Sequence, residues 1–182
     1  TVDAVESGLL ELFRVERQGF RVLNTAAALA AAHDKLLTAH LLSRAGLPHP
    51  RTALFAPGQP FPDLPPPLVV KPRLGSWGVD VVRCDTPDDV ARALPEILSR
   101  PWFLRRGAVV QSLVDAGGHD LRLLVANGAV IGAVRRLAAP GDWRTNITLG
   151  GTRLPIKAPE DAAALGVAAA RAIGADLVGV DL

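Results

Sequence analysis

The chain has 182 residues, 49% of them hydrophobic, enough apolar material for one domain core or two small lobes. A net charge of +2, 4% aromatics without tyrosine and the lack of a dense basic stripe argue against nucleic acid, which asks for strong positive fields and stacking platforms. The longest apolar run, residues 26–32, is too short to span a bilayer, no signal peptide opens the chain, and a single cysteine, Cys84, excludes an internal disulfide framework; a cytoplasmic protein without membrane contact is expected, with Cys84 as packing.

Residues 1–20 read as an amphipathic helix, with Leu9, Leu10, Leu12, Phe13 and Val15 crowding one side and Gly19 stopping it. A brief strand is expected at 20–23. Asn24 or Thr25 can cap an alanine-rich helical turn, and Asp34 can cap a second helix through Leu36, Leu37, Leu41 and Leu42 to Gly46. Pro48 and Pro50 force extension into a strand at 52–55, and residues 56–67 form a proline-rich loop. The run 68–83 reads as strand, glycine-bracketed turn and second apolar strand. Thr86-Pro87-Asp88-Asp89 starts a helix that reaches about Ser99, since a cap hydroxyl, a first-turn proline and two acids coincide there. Arg105 and Arg106 are expected to cap a loop. Strands follow at 108–114, 120–126 and 129–137, the last two joined by Asn127-Gly128 as a type I′ turn. A loop at 138–151 leads to a helix at about 159–173 and a buried apolar strand at 177–182. Hairpins grouped with helices make the class α+β. With no methionine anywhere and an apolar strand at its end, the sequence reads as an excised piece of a longer protein.

The chemistry starts at Lys71. Leu68, Val69 and Val70 lead into it as a buried strand, and an ammonium at that position needs an anion or shifts its pKa. Gly75 and Gly78 allow positive φ, so that consecutive N–H groups can converge on phosphate oxygens. A plain hairpin with a snorkelling lysine is the alternative. Only Lys35, Lys71 and Lys157 are lysines, while the other seventeen basic residues are arginine; a compact ammonium suits a phosphate oxygen reached through a narrow gap. Asp120 and Arg122 lie two apart on one strand face, with Arg135 or Arg136 opposite, as a cross-strand ion pair or part of a site. The loop from Gly141 to Asn146 is either a solvated turn or a clamp for phosphate or metal. Asp181, at a strand end, is a candidate Mg²⁺ ligand or a cap of the next turn. His33, His40 and His119 form no ligand set, and no serine nucleophile elbow appears.

The segments HDKLLTAHLLSRAGLPHPRT, LVVKPRLGSWGVDVV, VVQSLV, GGHDLRLLVANGAVIGAVRR, GDWRTNITLGG and GVDL occur in the order found in ATP-grasp ligases of the RimK-like group, which the chain resembles from Val22 to its last residue. The resemblance implies an ATP-grasp fold of two α+β lobes with nucleotide between them: residues 1–24 ending a preceding domain or connector, 25–110 the N-terminal lobe, and 111–182 a truncated C-terminal lobe. The N-terminal pre-ATP-grasp domain and the last strands, with their glutamate and asparagine metal ligands, would lie outside this sequence.

It further implies Lys35 and Lys71 on ATP phosphates beneath a mobile loop containing Gly75, Ser76 and Gly78. Gln111, Ser112, Leu113 and Val114 would form the strand that holds adenine, chiefly through backbone groups. Asp120 would bind ribose, Arg144, Thr145 and Asn146 would reach the nucleotide, and Asp181 would take Mg²⁺, with Mn²⁺ as a substitute. Arg144 and Lys71 are the implied catalytic residues. The implied activity joins a carboxylate to an amine through an acyl phosphate, adding glutamate or a related amino acid to a protein or small-molecule acceptor, with homo-oligomerisation allowed. Ser112 departs from the group, which usually has an acid there. Trp77 in GSWG resembles the branch that loads a carrier protein in lysine biosynthesis, whereas GDWRTN resembles the branch that adds glutamate to a ribosomal protein. A nucleotide-binding module without ligase activity and a basic interaction domain are the remaining alternatives.

Overall fold

The computed structural model describes residues 2–182, with side chains from Gly8 onward. Three helices open the chain: α1 (Val2–Arg17), α2 (Ala26–His33) and α3 (Lys35–Arg44). Thr25 caps α2 by accepting from the Ala28 N–H, and Asp34 caps α3 by accepting from Leu36 and Leu37. Both caps sit where the sequence puts them, because short oxygens there satisfy N–H groups that no helical carbonyl reaches. Alanines 26, 28 and 31 are buried, and small side chains let α2 lie close to its neighbours.

The first sheet contains β1 (Thr52–Phe55), β2 (Leu68–Pro72), β3 (Val82–Cys84) and β4 (Ala108–Ser112), in the order β1-β4-β2-β3 and antiparallel throughout. Strand alternation sends Leu68 and Val70 into a core with Phe55, Cys84, Ile97 and Phe103, while Val69 and Lys71 face the other way. Helix α4 (Pro87–Ser99) carries a complete capping box between Thr86 and Asp89 and packs on β3. Cys84 is fully buried, as a packing residue.

The second sheet holds β5 (His119–Ala126), β6 (Ala129–Leu137), β7 (Thr152–Pro155) and β8 (Leu177–Asp181), in the order β7-β6-β5-β8. Asn127 and Gly128, at φ 46° and 75°, make the tight turn between β5 and β6 that the sequence predicts. Helix α6 (Glu160–Ile173) covers the sheet through Ala170, which packs on Leu123 and Val125. Two separate cores mean two small α+β lobes. Helix α3 packs against both β1 and α6, tying the lobes together.

Five expectations need correction. No strand forms at 20–23: Phe20 and Leu23 are exposed, and the chain is anchored by Asn24 instead. The Asn24 side chain donates to the Leu177 carbonyl (2.6 Å) and accepts from the Asp176 and Leu177 N–H groups (2.8 Å each), fastening the segment to the start of β8. The strand after the glycine turn begins only at Val82, because Trp77 and Asp80 adopt positive φ and prolong the turn. Arg105 and Arg106 lie in a short helix, α5 (Pro101–Arg106), started by Pro101 and anchored by buried Phe103. Strand β7 was not foreseen, since its four residues are all exposed and lack alternation. Strand β8 is an edge strand whose outward residues Leu177, Gly179 and Asp181 are exposed; only Val178 and Val180 join the core, so it is not buried on both faces.

Candidate functional site

Between the two sheets lies a cavity of about 450 Å³. Its lining includes Lys35, Lys71, Ser76, Gly78, Gln111, Ser112, Leu113, Val114, Asp120, Arg144, Thr145, Asn146 and Asp181. Residues from seven sequence regions thus converge on one space. Gly75, the remaining candidate, contributes its carbonyl, which accepts from Lys35 Nζ at 2.7 Å.

Asp34 brings the two lysines together. Both its carboxylate oxygens accept from Arg73 (2.9 Å from Nε to each, 2.6 Å from Nη2), while the same carboxylate caps α3. The Lys35 N–H donates to the Arg73 carbonyl at 3.2 Å, so the first turn of α3 is pinned to the chain just after β2. Lys35, the first residue of that helix, and Lys71, the fourth of β2, then face the same cavity. Burial pushes the Lys35 ammonium down to about 8, Lys71 adds to the effect and Asp34 opposes it. Burial also lowers Lys71. Among the described residues the Lys71 side chain has no hydrogen bond or ion pair. Two half-buried ammonium groups, of which only Lys35 meets an acceptor among the described residues, form an anion site short of negative charge.

The loop above the lysines rests on the second lobe. Arg144 Nη1 donates to the Gly78 carbonyl (3.2 Å), and Thr148 Oγ1 donates to the Trp77 carbonyl (3.3 Å). Gly78 has φ +72°, and a Cβ there would lie 2.9 Å from Asn146 Oδ1 and 3.1 Å from Leu149 Cδ1. Glycine is therefore what lets the loop close. Opposite it, residues 141–151 fold back because Gly151 admits three carbonyl oxygens, of Leu137, Thr145 and Asn146, within 3.0 Å of where a Cβ would sit. Arg144 is further held by Asp142 (3.0 and 2.8 Å), and these hydrogen bonds keep the Asp142 carboxyl down at about 2. Trp143, which sequence reasoning did not single out, joins the lining and lies under the Arg83 guanidinium of the first lobe at 5.9 Å.

On the cavity face of the second sheet, register pairs Asp120 with Arg136 and Arg122 with Asp181. Arg136 Nε donates to Asp120 Oδ1 (2.7 Å) and its Nη2 to Oδ2, which also accepts from Thr145 Oγ1 (2.7 Å). Burial opposes the Arg136 charge, but Asp120 and Asp181 outweigh it and raise its pKa further. Of the two arginines left open by the sequence, Arg136 faces Asp120. At the far wall, the Ser112 N–H donates to the Arg51 carbonyl and the Leu113 N–H to the Pro67 carbonyl, so those two donors are used within the fold. Gln111 Nε2 donates to Thr52 Oγ1 at 2.8 Å.

Metal binding can be tested against the donors present. Asp181 is a half-exposed carboxylate on the cavity, which Thr145 and Asn146 also line. Among the described residues no three His, Cys, Asp or Glu side chains cluster to hold an ion alone. A single carboxylate fits Mg²⁺ that brings phosphate oxygens with it, a donor set of the hard-oxygen kind this cation takes.

Residues 32–182 match a family model described as RimK-like ATP-grasp domain. A "Probable alpha-L-glutamate ligase" of Aeromonas salmonicida is 35% identical over 181 positions, covering 96% of this chain and 59% of the relative. One of the same name from Pseudomonas aeruginosa is 34% identical with the same coverage. The chain thus spans somewhat over half the length of these relatives. Among solved structures, D-alanine–D-alanine ligase from Bacillus anthracis complexed with ATP has a TM-score of 0.72 at 17% identity, covering 93% of this chain and 57% of that one. L-amino acid ligase from Bacillus licheniformis has a TM-score of 0.68 at 19% identity, covering 98% and 47%.

Proposed function

Because this chain belongs to the RimK-like ATP-grasp family, we propose that it is the nucleotide-binding part of an ATP-dependent ligase that joins a carboxylate to the amine of glutamate or a related amino acid. The observation that carries the reading is the pair of half-buried lysines, Lys35 and Lys71, beneath a loop that closes onto the opposite lobe. A polyphosphate supplies the negative charge this pocket lacks.

In this reading Lys35 and Lys71 hold phosphate oxygens and offset the charge that develops as the acid attacks the terminal phosphorus. The Gly75 to Gly78 loop excludes water, which protects the resulting acyl phosphate until the amine displaces phosphate from the acyl carbon. Arg144 has two tasks: it latches the loop through the Gly78 carbonyl, and from the cavity wall its guanidinium would meet the transferring group. Asp120, oriented by Arg136 and Thr145, receives a ribose hydroxyl through the lone pair left on Oδ1, and residues 111–114 form the adenine wall. Asp181 is the residue that would hold Mg²⁺, whose contribution when bound is to neutralise phosphate charge and fix its geometry, while Thr145 and Asn146 would reach the nucleotide. Among the described residues no helix is long and apolar enough to cross a membrane, and we assign the enzyme to the cytoplasm.

The test is ADP release by the complete protein with Mg²⁺ and ATP across a panel of amino acids, peptides ending in a free carboxylate, and acidic carrier proteins. Turnover that requires both a carboxylate and an amine, and that disappears in Lys71→Ala, is the expected result. Undiminished turnover in Lys71→Ala would remove the basis of the assignment. Nucleotide binding without turnover on any pair would favour a binding module instead.

A further inference from the structure

Two aspartates and two arginines share the cavity face of the second sheet, and Asp181 is held by both arginines. Arg122 Nε and Nη2 donate to its two oxygens at 2.6 Å each, and Arg136 Nη2 lies 3.0 Å from Oδ2. The two cations are not equivalent. The Arg136 side chain is only 7% exposed and also grips Asp120, so moving it would strand a nearly buried charge pair. The Arg122 side chain is 49% exposed, and among the described residues its hydrogen bonds go to Asp181 alone. Exchanging its partner for water leaves nothing buried and unpaired.

A carboxylate chelated by a guanidinium fork has both in-plane lone-pair directions facing that fork occupied. A divalent cation on the same oxygens would also sit against a positive charge. We propose that Arg122 is an exchangeable counter-ion of Asp181: it occupies the carboxylate until a nucleotide-borne divalent cation displaces it, while Arg136 stays and keeps Asp181 aimed. The displaced guanidinium becomes a mobile cation in the cavity. Arg122 is thus a positioning residue that acts through Asp181. The inference rests on the reading of Asp181 as a metal ligand, and it adds a competitor that the donor set alone does not reveal.

Mn²⁺ binding to the complete protein, loaded with a non-hydrolysable ATP analogue and followed by the electron paramagnetic resonance of free Mn²⁺, measures the competition without catalysis. Arg122→Gln should bind Mn²⁺ about two- to fivefold more tightly, the factor expected for removing one exposed ion pair. Arg122→Lys, which keeps the charge but loses the fork, should fall between Arg122→Gln and the unaltered protein. Arg135→Gln, which removes the same charge from the other sheet face, should change nothing, and Asp181→Asn should weaken binding at least tenfold. Unchanged or weaker Mn²⁺ binding in Arg122→Gln, alongside the loss in Asp181→Asn, overturns the exchange and leaves the metal reading intact. Equal tightening by Arg135→Gln overturns it too, as a through-space charge effect. Unaltered binding in Asp181→Asn overturns the metal reading itself.

Discussion

Lys35→Met separates what the lysine does for function from what it does to stability, because the two effects have opposite signs. In the unliganded protein burial and Lys71 depress the Lys35 ammonium from 10.5 to about 8. That depression corresponds to roughly 3 kcal/mol of destabilisation carried at neutral pH. Replacing the ammonium also deletes its hydrogen bond to the Gly75 carbonyl, but Gly75 is exposed and water takes over most of that bond. The net expectation is stabilisation by about 1 to 2 kcal/mol, a rise in melting temperature of about 4 °C for a domain of this size. Affinity for Mg²⁺ and a non-hydrolysable ATP analogue should fall at least tenfold, as when a charge-assisted phosphate contact is lost. Thermal unfolding with and without the nucleotide reads both effects in one experiment. The pH dependence provides a further check. With a folded pKa near 8 and an unfolded one near 10.5, the unfolded chain binds more protons between those values, so stability should climb from pH 8 to 10.5 and climb less in Lys35→Met. A lower melting temperature for unliganded Lys35→Met, or nucleotide affinity within twofold of the original, would refute the reasoning.

Gly78→Ala should hinder loop closure, chiefly through the strain of φ +72°, about 1 to 2 kcal/mol, because the Asn146 amide can swing away from the new methyl. The check is a raised KM for ATP together with faster proteolysis between Gly75 and Gly78 in the nucleotide-bound protein. Asp120→Asn leaves Arg136 nearly buried without its bidentate partner and should cost about 3 kcal/mol in urea denaturation, whereas Thr145→Ala should cost about 1 kcal/mol. Asp34→Ala should lower stability by about 2 kcal/mol through loss of the α3 cap and the Arg73 pair. Burial alone would raise the Asp34 carboxyl, but the Arg73 hydrogen bond and the Leu37 and Leu36 N–H groups hold it below 3.8. Its stabilising contribution is therefore present above pH 3.8 and lost as pH falls through the depressed pKa, so the acid limb of an unfolding titration should flatten in Asp34→Ala.

Local chemistry was legible wherever a few adjacent residues decide the outcome. Thr25, Asp34 and the Thr86–Asp89 capping box announce helix starts because their oxygens reach N–H groups two or three residues away, and Asn127-Gly128 announces its turn through φ alone. The two-residue period of a strand likewise placed Asp120 and Arg122 on one face before any partner was known. Elements without an intrinsic signal were missed: β7 exists because β6 offers it an edge, and α5 because Phe103 finds a core.

The sequence by itself determined which side chains could serve a nucleotide site: three lysines among many arginines, a glycine-bracketed turn after a buried strand, and six ordered motifs of one family. Only the tertiary structure decided which of them meet and in what state. It chose Arg136 over Arg135 as the partner of Asp120 through sheet register, set Lys35 beside Lys71 through the Asp34 to Arg73 pair, and placed Asp181 on an edge strand between two guanidinium groups. Caps and periods are read within one turn or one strand, whereas a depressed lysine or a doubly held aspartate arises from charges brought together by chain segments as much as 59 residues apart.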